Sequence, residues 1–247
     1  MKKLPKTARI LLIAVLYLCV WGGVSALVGK ELLLPSPLST GRRFIALLGS
    51  WQSWEYAGLT LLRIMGGYAL GVAGGVLLAV LCARFPFAEA LLTPLRSVIK
   101  ATPVTSFILL ALLWLTSGTV PLFIAFLMVL PMVWNSVLTG ILQTDRQLLE
   151  MARAFHLGRW GTLRHVYVPS LLPGFLSTCT TAMGFAWKSG VAAEILAQPK
   201  RSVGYMLYAS KLQLETVDLF AWTLLVILLS MLLEKTLLAL LKRIRHD

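Results

Sequence analysis

The sequence predicts an all-α polytopic membrane protein, and three observations carry that reading. Of 247 residues, 58% are hydrophobic and only 13% charged, against roughly 25% charged in an ordinary soluble domain. Too few polar side chains exist to cover a soluble exterior. The apolar residues gather into charge-poor runs near the roughly 20 residues a helix needs to cross a bilayer core of about 30 Å. The basic residues lie between those runs, with no long block of like charges, as in chains that hold Lys and Arg on the cytoplasmic side. The net charge of +13 therefore reads as membrane orientation and not as nucleic-acid binding. Cys19, Cys82 and Cys179 sit far apart inside apolar runs, which excludes a disulfide framework.

Six spans can be counted in order. Ala8–Val28 is charged only at Arg9; it exceeds a secretory h-region, which favours a retained helix although Val24-Ser25-Ala26 resembles a cleavage site. Ile64–Ala83 is free of charge for 20 residues. Ala101–Thr144 is uncharged for 44 residues, too long for one helix, and Thr116-Ser117-Gly118-Thr119 provides a turn between two. Val166–Trp187 opens a fifth span. Leu219–Leu233 is a sixth, 15 uncharged residues long, prolonged by Glu234 and Lys235 snorkelling outward. With both termini inside, fifteen of the 23 Lys and Arg, Lys2 and Lys3 among them, fall on inner segments, six on outer ones, and Arg63 and Lys188 within spans. This satisfies the positive-inside rule for a plasma-membrane protein. The chain divides into an N-terminal helix and outer loop (1–58), a five-helix core (59–241) holding an inner loop at 145–165, and a cytoplasmic tail (242–247).

Catalytic signatures are missing from the sequence. A phosphate-cradling loop needs G-x-x-x-x-G-K-[ST], and the nearest approach, Gly23 to Gly29-Lys30, is one residue too wide. His156, His165 and His246 have no metal-ligand spacing. We expect no catalysis, no metal and no cofactor in this chain. A membrane-embedded enzyme and a non-transporting anchor are the competing classes.

Packing and polar patterns are more informative. Gly67, Gly71 and Gly75 repeat at i, i+4, i+8, a face on which another helix can approach closely. Ser177, Thr181, Gly184 and Lys188 share one face of the fifth span. Such a stripe is expensive in lipid, so it faces either other helices or a wet cavity. Glu194 is an obvious partner for Lys188, structurally placed across a dimer axis, since on the same helix it lies about 120° away; an anionic solute is the other possible partner. Asn135, with Thr139 one turn on, gives the fourth span a polar edge. In the inner loop Asp145 can cap a short helix, Gly158 can close it, and Leu148, Leu149, Ala152 and Phe155 form its apolar edge. That helix either lies on the bilayer surface or docks a cytoplasmic partner.

These residues carry a family resemblance. Glu150-x-Ala152-Arg153, followed by Gly158-Arg159-Trp160 and Val166-x-Val168-Pro169, resembles the coupling loop of binding-protein-dependent ABC importer permeases. Leu34-Pro35-Ser36-Pro37, Thr60-Leu61-Leu62-Arg63 and Ala186-Trp187 leading to Ala192-Ala193-Glu194 are similar to its nitrate/sulfonate/taurine branch. One departure stands out: the family usually has glycine where this chain has His156. The resemblance implies the type I importer permease fold and a homodimer of permeases. It implies that ATP is bound by a separate cytoplasmic ATP-binding subunit and that an external solute-binding protein delivers the solute. The solute would be a small sulfonate-like or nitrate-like anion, or a vitamin-precursor heterocycle. Glu150 and Arg153, with Ala152, His156 and Gly158 around them, would form the ATPase contact. Asn135, Ser177, Thr181, Lys188 and Glu194 would line the path, and membrane lipid would surround the whole.

Overall fold

The computed structural model describes residues 6–246; Lys2, Lys3 and Asp247, which enter the orientation and tail readings, lie outside the described residues. All its regular elements are helical. They are α1 (Lys6–Val28), α2 (Pro37–Gly49), α3 (Trp51–Arg84), α4 (Pro86–Ala101), α5 (Val104–Ala111), α6 (Val120–Leu142), α7 (Arg146–Ala154) and α8 (Arg159–Thr162), then a π-helical turn (Leu163–Tyr167), α9 (Val168–Ala197), α10 (Val203–Leu212) and α11 (Thr216–His246). Prolines punctuate the chain. Pro37 opens α2 behind Ser36, whose Oγ accepts from the Ser39 amide at 3.1 Å, and Pro86 opens α4, both at positions where a missing N–H is harmless.

Among the described residues, four helices are long and apolar enough to cross a membrane: Leu11–Val28 within α1, Trp51–Arg84, Val120–Leu142, and Thr216–Leu240 within α11. With 30 residues, α9 has the length, but its serines and threonines make it less apolar than those four. It also runs on past the expected end at Trp187. The run Ala101–Thr144 does not hold two helices of span length. Its second half is α6, whereas its first half supplies only the eight-residue α5, and the preceding helix already begins at Pro86. The break falls at Thr102-Pro103, with Thr102 extended at φ −80°, ψ 132°. Proline offers no N–H and pushes the residue before it out of the α region.

The core is a three-helix layer of α3, α6 and α9. Along α3, Gly67, Gly71 and Gly75 lie directly on α6. A Cβ at Gly71 would stand 2.7 Å from Val129 Cβ, and one at Gly75 would stand 2.8 Å from Val133 Cβ. At Gly67 it would run into the Leu122 carbonyl oxygen and Ala125. Only glycine admits this approach. The same contacts give the register: as α3 advances from 67 to 75, α6 advances from 122 to 134, so the two helices run parallel. In contrast, α9 runs antiparallel to both. Gly140 meets Leu171 and Ser136 meets Thr178 on one side, while Ile64 meets Gly190 and Thr60 meets Glu194 on the other. Ile64, Ala125, Val129, Val133, Ala182 and Ala186 are sealed at the junction.

Around this layer the remaining helices are more loosely attached. The α1 helix presents Leu11, Leu12, Leu16 and Tyr17 outward and is tied at its far end, where Trp21 Nε1 donates to the Pro35 carbonyl at 3.1 Å and stacks on Phe220. The short helix α2 is pinned to α11 by Arg43, whose Nε and Nη2 reach the Asp218 carboxylate at 2.6 and 2.7 Å.

Candidate functional site

Two helices build a polar cleft at the level of the apolar spans. On α6 the residues are Asn135, Ser136, Thr139 and Gln143; on α9 they are Ser170, Ser177, Thr178 and Thr181, with Lys100 at the end of α4. Together they border a cavity of about 610 Å³. Leu171 fits directly against Gly140, which draws together the C-terminal end of α6 and the N-terminal end of α9. Thr178 Oγ1 donates to Ser136 Oγ at 2.8 Å, joining the walls further up. Asn135, Ser177 and Thr181 are therefore brought together. Lys188 is not; it is exposed one turn beyond Gly184 and does not border this cleft. Lys100, the only charged lining residue of the cleft among the described residues, is missed by a reading confined to single spans. It becomes visible only when α4 is folded back against α6.

Glu194 sits elsewhere and does something different. It is completely buried and caps α10. Helix N-termini leave backbone donors without partners, and here α3 and α9 supply them. Gly204 N donates to Glu194 Oε2 at 3.1 Å, and Val203 N donates to Thr60 Oγ1 at 3.1 Å. Thr60 Oγ1 in turn donates to Glu194 Oε2 at 2.9 Å, and Arg63 Nη1 reaches Glu194 Oε1 at 3.3 Å. Ser202 completes the cap by accepting from the Tyr205 amide at 3.0 Å. The packing is tight enough that a Cβ on Gly204 would collide with the Glu194 side chain. A buried carboxylate is costly unless paired and hydrogen-bonded, and this one has both. The expected pairing of Glu194 with Lys188 across a dimer axis is thus overturned: the carboxylate is satisfied by its own chain. Thr60 and Arg63, a helical turn apart, are the signal that could have pointed to it.

At the opposite end, α7 begins as expected, with Asp145 Oδ1 accepting from the Gln147 amide at 2.8 Å. Its close is not at Gly158, which instead precedes α8. The helix ends at His156, held in the left-handed region at φ 52°. His156 N donates to Arg153 O and Leu157 N to Ala152 O, both at 2.9 Å, the paired bonds of a Schellman turn. Glycine is usual at such a position because it carries no Cβ penalty, so the histidine keeps a glycine's backbone. The apolar edge is also split. Leu149 and Ala152 turn inward, while Leu148, Phe155 and Trp160 are exposed, Phe155 by 73% and Trp160 by 78%. Glu150 and Arg153 are exposed beside them.

A parallel helix pair crossed by an antiparallel third, a polar cleft between α6 and α9, and helices long and apolar enough to cross a bilayer mark an integral membrane protein. Residues 75–246 match the family described as binding-protein-dependent transport system inner membrane component, and the chain belongs to that family. It is 29% identical over 197 residues to the riboflavin transport system permease protein RibX of Chloroflexus aurantiacus, covering 78% of this chain and 71% of the relative. It is 26% identical over 234 residues to the taurine transport system permease protein TauC of Escherichia coli, covering 92% and 85%. In fold it resembles the crystal structure of an amino acid ABC transporter, with a TM-score of 0.60 at 16% identity over 76% of this chain and 89% of the other. The family is an inner-membrane transport component, so the chain is a multi-pass plasma-membrane protein, and the taurine permease relative is consistent with the nitrate/sulfonate/taurine branch.

Proposed function

We propose that this chain is the membrane-spanning subunit of an ATP-driven importer, working as a homodimer. A separate cytoplasmic ATP-binding subunit energises it, and an external binding protein delivers its solute. The observation that carries the reading is the cleft between α6 and α9, a hydroxyl- and amide-lined space in a chain whose helices are otherwise apolar. Polar groups at that depth are expensive and mark solute pathways.

Six crossings are part of the proposal. Because α3 and α6 run parallel in near register, the intervening α4 and α5 must return across the same thickness, and their residues 86–111 are enough when joined at Thr102-Pro103. Adding α1, α9 and α11 brings both termini to the cytoplasmic side. The exposed α7 surface around Glu150, Arg153 and Phe155 then faces the cytoplasm, where it docks on the ATP-binding subunit. The division into an N-terminal helix with its outer loop, a five-helix core and a short tail follows the same frame. Lys100 favours a solute with an acidic group.

Reconstitution tests the proposal. Vesicles holding this chain with its ATP-binding subunit should hydrolyse ATP faster when the loaded binding protein is added outside, and should accumulate solute. Binding of the partners without solute-stimulated turnover would make the chain an anchor and contradict the proposal.

A further inference from the structure

A small cavity lies where α2, α3, α10 and α11 meet, bordered by Arg43, Ser50, Ser53, Tyr56, Met206 and Trp222 and enclosing about 220 Å³. That is many times the roughly 10–15 Å³ that one water needs. The start of α3 borders it. A helix leaves its first amides without partners in the helix, and Ser50, at the N-cap of α3, makes no side-chain cap. The Gln52 and Ser53 amides find no other acceptor among the described residues. The 34 residues of α3 also set the positive end of a long helix dipole at this place.

Two buried side chains point to a ligand independently of the helix end. Ser53 is 3% exposed, and its hydroxyl forms no hydrogen bond with any described residue; this close to the start of α3, no carbonyl of that helix lies a turn behind it. Trp222 is 2% exposed and its indole N–H has no partner. Both border the cavity, and buried donors left unpaired are costly. Tyr56 accepts from Gln52 Nε2 at 2.6 Å, so its own proton remains to be given. Arg43 is exposed and commits Nε and Nη2 to Asp218, which leaves Nη1. Among the described residues no carboxylate borders the space.

Donors thus converge from three helices on a space without an anion, and an oxyanion, acceptor on every side, is their complement. Trp51 and Trp54, exposed on the first turn of α3, are of the type that gathers at the membrane–water interface, the level of lipid phosphates. We propose that this cavity binds a phosphate-type oxyanion, carried by a lipid headgroup or free in solution, with Ser53, Tyr56, Trp222 and the first amides of α3 as its donors. The site is separate from the α6–α9 cleft, with which it shares no lining residue.

Thermal unfolding of the purified full-length chain in dodecyl maltoside tests this at fixed ionic strength. The probes are inorganic phosphate and dioleoylphosphatidylglycerol, with dioleoylglycerol as the headgroup-free control. At least one phosphate probe should raise the melting midpoint by about 2 °C in the unmodified protein. The same shift should persist in Trp187→Phe, which removes another sealed, unpartnered indole N–H, one that does not border this cavity. Ser53→Ala and Trp222→Phe should each lose the shift, whatever their own starting midpoint. A shift with phosphatidylglycerol alone identifies a lipid headgroup as the ligand, and a shift with inorganic phosphate identifies a free oxyanion; either supports the site. No shift with either probe, an equal shift with dioleoylglycerol, or an undiminished shift in Ser53→Ala or Trp222→Phe overturns the proposal.

Discussion

The C-terminal end of α9 and the loop before its start both interrupt an apolar chain with polar residues, yet they are finished in opposite ways. Around Glu194, donors from two helices, α3 and α10, converge on one buried carboxylate of a third, and the α10 amides are taken up by Thr60 and Glu194. Around Glu150, the chain fixes its own backbone with an Asp145 cap and a Schellman turn and leaves the side chains outward, including large apolar ones. A closed network resists substitution because its members have nowhere else to turn. An open surface of fixed shape tolerates substitution in the isolated chain and waits for something to cover it. The first therefore governs stability and the second governs coupling.

Substitutions should separate these two behaviours. Glu194→Ala is expected to have the largest effect on folding, about 3–5 kcal/mol, as for other buried pairs that lose one partner. Arg63 and the Gly204 amide would be stranded. Glu194→Gln should lose less, because an amide oxygen still accepts from Gly204. Thermal unfolding in detergent reads both, and an Ala variant as stable as the parent would break the contrast. Gly75→Val comes next, at about 1–3 kcal/mol. Its Cβ would stand 2.8 Å from Val133 Cβ and 2.9 Å from the Trp134 amide, so α3 and α6 must part. His156→Gly should have the smallest effect and the opposite sign, a gain of about 1 kcal/mol from relieving a left-handed residue. Slower amide exchange at Leu157 would register it, and faster exchange would contradict the turn assigned here.

Much of this architecture was legible in the residues, and the misses have identifiable causes. Counting charge-free runs locates α1, α3, α6 and α11 because lipid penalises charge more than any other property. The glycine spacing on α3 and the Asp145 cap are local signals, and local signals survive without a fold. The break at Thr102-Pro103 was written in the sequence too, but a count of charges does not register proline. Glu194 could not be assigned from its own helix, because Thr60 and Arg63 lie 134 and 131 residues away. The close of α7 is not legible at Gly158 because histidine, and not glycine, holds the left-handed position here. Lys100 is not legible as a cleft residue because it faces the cleft from α4, a helix other than the one carrying the polar stripe.

Uptake into vesicles containing the chain, its ATP-binding subunit and the external binding protein, measured with Glu150→Ala beside the parent, tests the central contrast most directly. The substitution should leave the melting midpoint within about 0.5 kcal/mol of the parent's stability, as expected for an exposed residue. Uptake should nevertheless collapse, and ATP hydrolysis should no longer respond to the binding protein. Parental uptake from a normally inserted Glu150→Ala protein would contradict the account.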